Sequence, residues 1–507
     1  RDQGDHRGSE PGRPDGRGKR LQARSHDSHT VRSGPGRCGS VGVVLQVIPM
    51  SWFPDKSELC GRPRGTVLIV VMWIVLVLAG LVLVFARAIR AEMVAAGNRV
   101  AEMQAEAAAC AALQVVLSQV DGTKGNYDPA ASGLSFEAMR VGEGYFWILN
   151  TGAGDDRSFA FGIRDEASRL NLNSASMDVL LKIPGMTAEL AASIIDWRDG
   201  DDDVSPGGAE SEYYLLLDDP YYCKNAPFES VEEILLVKGA SREMLYGEDA
   251  NRNGHLDPNE NDAADRDPPD NRDGRLQRGA IDYLTVYTAE PNVTASGERR
   301  VNVNDVGAQS RIAAMLRDVV GQDRLFQIMD RVRGGRPFRN VLDFCVRTGL
   351  TAQQFAQIAD LITTSREETL VGLVNVNTAP REVLMCLPGL EESDVDALIA
   401  KRQTAGMDLS NLAWVLDVLT PEKASAAGDL LTTRSFQFSA DIIAASRDGR
   451  AFKRYYAVVD ARTSPPRVVL WQDLTHLGWP LAPEILASMR RGEPPVATAA
   501  ASGRGKT

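Results

Sequence analysis

Residues 249–260 read DANRNGHLDPNE, which puts Asp249, Asn251, Asn253, Asp257 and Glu260 at positions 1, 3, 5, 9 and 12 of a twelve-residue loop, with Gly254 at 6 and Leu256 at 8. Side-chain oxygens at alternate residues converge on one side of a sharp glycine turn, and a glutamate at position 12 can close such a site with both oxygens. That is the ligand pattern of an EF-hand calcium loop. His255, at position 7, would supply only its backbone carbonyl. Pro258 and the polar run NDAADRDPPDNRDG that follows break any exiting helix, so the sequence predicts half a hand. The competing reading is a solvated Asn/Asp/Gly loop. A second acidic loop holds Asp199, Asp201, Asp202, Asp203 and Glu210. Five carboxylates so close in sequence repel one another, and a cation would relieve the repulsion and order the loop. Ca2+ is the expected ion at both places.

Catalysis finds little support. The five histidines are His6, His26, His29, His255 and His476, and none belongs to a Ser/His/Asp or Cys/His arrangement with a nucleophile elbow. No glycine-rich loop of the phosphate-cradling type is present. The cysteines (Cys38, Cys60, Cys110, Cys223, Cys345 and Cys386) form no CxxC pair and no metal-ligand spacing. A chain without catalytic residues is expected to act by binding or assembly.

The elements that must carry these loops begin with a strongly apolar one. Thr66–Ala86, TVLIVVMWIVLVLAGLVLVFA, contains no charge, and its 21 residues span the hydrocarbon layer at 1.5 Å per residue. Arg62 and Arg64 precede it, which keeps that end cytoplasmic and sends the bulk of the chain to the periplasmic side. Residues 1–49 are rich in Gly, Arg, Pro and Ser, cannot bury a core, and read as upstream sequence before a start at Met50. The short basic leader MSWFPDKSELCGRPRG ends in Gly65 directly before the apolar run, as prepilin leaders do, in which the peptidase cuts after the glycine and the helix stays on the mature protein. Beyond Ala86 the chain continues without proline to about Gln119, with Ile89, Met93, Val100, Met103, Ala107, Cys110 and Leu117 at helical spacing over most of its length. One helix, half in lipid and half under a periplasmic sheet, is the natural reading.

Charge narrows the partners. Residues 1–65 hold 12 basic and 7 acidic side chains, so of the 56 Lys/Arg and 68 Asp/Glu in the chain 44 and 61 remain beyond them, a balance of −17. A body that acidic repels phosphate backbones, which favours divalent cations over nucleic acid as partners. Tyr145–Asn150, Ser158–Arg164, Phe436–Ala445, Ala451–Ala461 and Val468–Asp473 read as strands, with a turn at Asp448–Gly449. Between them, LNLNSASMDVLLKIPGM at 170–186 aligns without gaps to VNVNTAPREVLMCLPGL at 374–390, and VNVND at 301–305 opens a weaker third copy. PFESVEEILLVKGAS at 227, PFRNVLDFCVRTGLT at 337 and, loosely, DLSNLAWVLDVLTPE at 408 repeat as well. Ser174 or Thr378 would cap a helix, Leu180 or Leu384 would face the core, and Pro-Gly would turn into a second helix, the plan of a helix-hairpin-helix unit.

These pieces, with DEASRLNLNSAS at 165–176, SIIDWRDGDDD at 193–203, GGAESEYY at 207–214 and APFESVEEILLVKG at 226–239, resemble the type II secretion minor pseudopilins of the general secretion pathway protein K family over essentially residues 50–480. Most pilins and pseudopilins carry Glu at the fifth mature residue; here that position is Val70, and the K-type proteins likewise lack the Glu, which suits a subunit with nothing above it to pair with. The resemblance implies an α+β fold: a pilin-like long N-terminal helix and antiparallel sheet, with a large α-helical insertion of helix-hairpin-helix (SAM-like) repeats. Its parts would be a disordered upstream region and leader (1–65), a transmembrane helix (66–86), its periplasmic continuation (87–120), pilin-like strands (121–169), the insertion with its calcium loop (170–430), C-terminal strands (431–480) and a tail (481–507). It implies a non-enzymatic tip subunit of the inner membrane that primes pseudopilus assembly for export across the outer membrane. Its partners would be other minor pseudopilins, the major pseudopilin, the inner-membrane secretion platform and the prepilin peptidase.

The alternative is a membrane-anchored DNA-uptake protein, because helix-hairpin-helix modules commonly offer backbone N–H groups to phosphate. Against it, the usual second glycine of the first hairpin is Thr187, and Gly389 is followed by Glu391, Glu392, Asp394 and Asp396. From the leader we predict cleavage after Gly65, with Thr66 as the mature amino terminus. Intact mass or terminal sequencing of the membrane form checks it, and a mature chain beginning beyond Ala86 would refute the pilin-like reading.

Overall fold

The computed structural model describes residues 66–127, 133–152, 156–263 and 268–495; the upstream stretch, Met50 and Gly65 fall outside them. The chain divides into two compact units, 1–79 and 80–507. In the first, the described residues are Thr66–Ala79, helical and exposed throughout. They open a helix, α1, that runs from Thr66 to Val120 and is long and apolar enough to cross a membrane, with a stretch of mean hydropathy 3.3.

The second half of α1 follows a different rule from the one its large residues suggest. Ile89, Met93, Val100, Met103 and Cys110 stay exposed. The buried stripe is instead Ala101, Ala105, Ala108, Ala109, Ala112, Val116 and Val120, on one face at spacings of three and four. Small side chains let the helix lie close on the sheet: a Cβ added at Gly144 would stand 3.1 Å from that of Ala108.

The sheet has six strands: β1 (Met139–Val141), β2 (Gly144–Leu149), β3 (Arg164–Asp165), β4 (Gln437–Ser446), β5 (Phe452–Asp460) and β6 (Arg467–Asp473). Their order is β1-β2-β4-β5-β6, and β3 pairs the start of β4. Of the expected strand Ser158–Arg164, only Arg164 joins a strand, with Phe161 bridging to Leu149. Every residue of β4 is buried, because strands flank it and both faces are covered. Phe438, Ala440, Ile442 and Ala444 pack with the α1 stripe, while Ile443 and Ala445 join Trp147 and Leu149 on the other face. That second face is closed by Leu481, Ile485, Leu486 and Met489. Residues from 481 on were expected to be tail. Pro483–Arg490 is instead a helix, because its apolar residues recur at i, i+1 and i+4 and find the open face of β4.

The insertion contains three units, each closed by a two-residue parallel pairing: Leu170–Asn171 with Leu284–Thr285, Val301–Asn302 with Ile362–Thr363, and Val374–Asn375 with Leu431–Thr432. The repeated asparagines explain the repeat. The first of each pair accepts from the amide two residues on, Asn173, Asn304 or Asn377. The second reaches across to the other repeated piece: Asn173 exchanges bonds of 2.7 and 3.0 Å with the Phe228 backbone, Asn304 bonds of 2.8 and 2.9 Å with that of Phe338, and Asn377 donates to Leu409 O at 2.9 Å. Helices Met177–Leu180 and Ala188–Arg198 flank one Pro-Gly turn, and Arg381–Cys386 and Glu392–Arg402 flank the other, with Gly185 and Gly389 at φ 77° and 75°. Leu180 and Leu384 are fully buried. Ser174 and Thr378 do not cap these helices. Their amides donate back to Asn171 O and Asn375 O, and the caps are Ser176 and Pro380.

Because Asn304 satisfies two backbone groups at once, Asn304→Ala is expected to cost about 1–3 kcal/mol, whereas Val306→Ala, at a side chain 80% exposed, should fall within about 0.5 kcal/mol. Thermal melts of the two variants beside the parent check the difference.

Candidate metal centre

The loop 249–260 is positioned from both ends. Ahead of it lies the short helix Arg242–Tyr246, and behind it Pro258–Glu260 forms a single 3-10 turn, capped by Asp257 with Pro258 at its first position, in place of an exiting helix. Asp249 accepts from the amides of Asn253 (2.9 Å) and Gly254 (2.8 Å). Asp257 Oδ2 accepts from the side-chain amides of Asn251 (2.7 Å) and Asn253 (3.0 Å). Glu260 takes the Ala250 amide on one oxygen and the Asp257 amide on the other, at 3.1 and 3.0 Å. Gly254 has φ 70°, and a Cβ there would meet the Thr151 backbone. The five oxygen-bearing side chains are thus gathered in one loop. His255 is turned away from them, its ring stacked on Phe159 at 4.6 Å.

The loop is also fastened to the sheet. Arg454 of β5, fully buried, pairs with Asp441 of β4 (2.5 Å) and donates to the carbonyls of Asn251 (2.6 Å) and Arg252 (2.7 Å). Asn253 Nδ2 donates to Pro480 O at 2.9 Å. Nothing in the sequence pattern marked Arg454 or Asp441 as supports of this loop, because they come from strands some 200 residues downstream.

Burial makes the carboxylates costly as anions. Asp249 is pushed up to about 6 by burial and by the neighbouring charge of Asp282, against the two amides that bond it. Glu260 is pushed up to about 8 by burial and by Asp249.

In the second loop the structure moves the emphasis. Asp201, Asp202 and Asp203 are exposed; Asp201 accepts from the Asp203 amide (3.0 Å) and Asp202 from Asn225 (2.9 Å). Glu210 is 1% exposed, and neither of its oxygens has a hydrogen-bond partner of ordinary geometry; the Cys223 thiol beside it is only a weak donor. One oxygen of Asp199 is likewise buried and unpartnered. The residue the sequence reading missed is Asp196, fully buried, which accepts from the Ser205 amide and contributes charge against both Asp199 and Glu210. Its place on helix Ala188–Arg198, three residues before the C-cap Asp199, was the available signal. Burial raises the pKa of Glu210 and of Asp199, and the surrounding acids add to it.

Orphaned, buried, hard oxygen atoms suit Ca2+. Among the described residues, no three His, Cys, Asp or Glu side chains form a group placed to hold a metal ion. Cys110, Cys223, Cys345 and Cys386 are free thiols.

A helix long and apolar enough to cross a membrane, an antiparallel sheet packed on its second half and a repeat-built insertion carrying these loops define an α+β protein. Residues 165–246 and 374–434 match the family models of type II secretion system protein K. No curated protein matches the sequence. Five solved chains resemble it in structure; one is from the GspK-GspI-GspJ complex of the enterotoxigenic Escherichia coli type 2 secretion system, at 13% identity and TM-score 0.37, covering 73% of this chain and 96% of that one.

The raised carboxylates set the pH response. Their folded pKa values lie above the unfolded ones, so without a cation this contribution to stability is full below about pH 4 and is lost as pH rises through about 6 for Asp249 and about 8 for Glu260. A bound cation removes that loss. Millimolar calcium should therefore raise the melting temperature over chelator far more at pH 8 than at pH 5. Asp249→Ala with Glu260→Ala should remove the 249–260 share of the response, and a melt insensitive to calcium at both pH values would refute cation binding.

Proposed function

We propose that this chain is the minor pseudopilin at the tip of a type II secretion pseudopilus, where it starts filament assembly with other minor pseudopilins for protein export across the outer membrane. The observation that carries the reading is α1 in a chain that matches the protein K family models. One stretch of the helix is apolar and exposed, and the next is packed through alanines beneath a sheet, the division a subunit needs to sit in a membrane and in a filament. The family is one of structural secretion components, and no reaction is assigned. Thr66–Ala86 would span the inner membrane with the periplasmic bulk beyond it, after cleavage between Gly65 and Thr66. Val70 supports placement at the tip. It offers lipid an apolar surface, whereas a carboxylate there would need the terminal amine of a neighbouring subunit.

The same reading gives the turn-linked helix pairs, taken as helix-hairpin-helix units, a packing role. Their basic residues are used internally. Lys182 donates to Leu387 O at 2.8 Å, joining the first hairpin to the other. Lys238 pairs with Glu189 at 3.0 Å, Lys423 with Asp394 at 2.6 Å and Glu391 at 3.1 Å, and Arg381 with Asp396 at 3.0 Å. Calcium at 249–260, and at the loop of Asp196, Asp199 and Glu210, would then brace the insertion against the sheet.

The test is co-expression of the full chain with its co-encoded minor pseudopilins, followed by detergent extraction and purification through a tag on this subunit. A stable complex and no retention of duplex DNA at physiological salt are expected. Failure to bring down any pseudopilin would overturn the assembly role, and salt-dependent micromolar retention of DNA would favour the uptake alternative.

A further inference from the structure

We infer that the outer edge of β6 is a docking site for an extended segment of a partner protein, basic at its N-terminal end, apolar in the middle and acidic at its C-terminal end. β6 closes the strand order, with β5 on one side and no described strand on the other. Leu474 N donates inward to Arg454 O, so alternation along the antiparallel ladder turns the N–H and C=O of Trp471 outward. An edge of this kind is a template for another strand, and proteins usually blunt it with charge. Here Val468–Trp471 carries none, and Val468, Val469 and Trp471 are exposed. The edge is held firm: Trp471 stacks on Tyr455 at 4.4 Å, and the Tyr455 hydroxyl donates to Glu106 of α1 at 2.6 Å.

The ends of β6 specify the occupant. Arg467 and Asp473 are both exposed, and an antiparallel strand would bring its first residue to Asp473 and its last to Arg467. Opposed charges directly across a ladder stabilise it, whereas like charges oppose pairing. The central residue of the incoming strand shares a face with Leu470. That face borders a cavity of ≈ 90 Å³ walled by Leu470, Gln472, Tyr246 and Arg252, which gives an apolar side chain a place to enter. Backbone pairing with a pocket for alternate side chains is a recurrent mode of peptide recognition.

β6 is also self-complementary about Leu470, so a second copy would match the same charges. The two-fold axis of that pairing stands normal to the sheet and reverses α1, which lies along the opposite face. Two copies anchored in one membrane therefore cannot meet this way, a step that rests on the membrane reading above, and the occupant is a different chain.

The probe is a synthetic peptide of the strand's seven-residue length, with lysine first, leucine in the centre, glutamate last and threonine or valine between, titrated into the detergent-solubilised full chain. Binding with hydrogen-exchange protection of the 467–473 amides is expected, with about a tenfold preference over the charge-reversed peptide. The double variant Arg467→Asp, Asp473→Arg should reverse that preference, with a somewhat lower melt because Asp473 also accepts from the Thr475 amide at 2.7 Å, and Trp471→Pro should abolish binding. No binding, equal affinity for both peptides, or binding that survives Trp471→Pro would overturn the proposal. So would self-association of the parent chain that the charge-swapped variant retains and Trp471→Pro loses, which would make the occupant a second copy. None of these outcomes depends on whether pseudopilins co-purify, so the two readings fail separately.

Discussion

The carboxylate of Asp165 holds the two halves of this protein together. It sits at the point where the chain leaves the sheet for the insertion, on the strand that pairs with Phe438 at the start of β4. It accepts from the Ala167 amide (2.8 Å), Asn375 Nδ2 (3.0 Å), Thr378 Oγ1 (2.5 Å) and Ser435 Oγ (2.6 Å). One side chain thereby ties the beginning of the insertion, its last unit and the return into the sheet. Burial pushes its pKa up while the four donors pull it down, and a buried acid in that position is strongly destabilising unless all its donors are present. The seam continues with Glu166 and Arg169, an ion pair within bonding distance of Tyr456 of β5.

From that seam the rest follows by closeness. The sheet can accept the insertion on one face only because α1 covers the other, and α1 can do so only through alanine. A helix that had buried Met93, Val100 and Met103 would have stood farther from Gly144 and left β4 loosely covered. The large residues are left outward as exposed apolar surface. The insertion in turn carries loop 249–260 to Arg454, whose charge is already matched by Asp441, so the guanidinium can hold two loop carbonyls without leaving an ion unpaired. Loop order and sheet order are therefore coupled, and a cation in the loop would act on the whole joint.

The repeats show what a short pattern can encode. Each VN or LN start supplies one asparagine that closes its own turn and a second that clamps a backbone far along the chain, at 55, 34 and 32 residues' separation. The conformational entropy of closing those loops grows only slowly with their length, so the same clamp serves units of quite different size.

What the sequence determined by itself was whatever depends on local period and composition. The uncharged run from Thr66, the strand segments that became β4 and β5, the Pro-Gly turns and the repeated pieces were all legible, as was the oxygen spacing at 249–260, because each is written in neighbouring residues. What only the tertiary structure decided was which candidate partners meet. The helix face that is buried was set by how near the sheet had to come, and Pro483–Arg490 became a helix because β4 left an apolar face open. Asp196 joined Asp199 and Glu210 because a loop folded back over a helix. Arg454 reached the loop across 203 residues. Long-range pairing of this kind has no period in the chain: apolar burial drives it, and the cost of the charges buried with it is offset only by donors and counter-charges that the folded molecule brings to them.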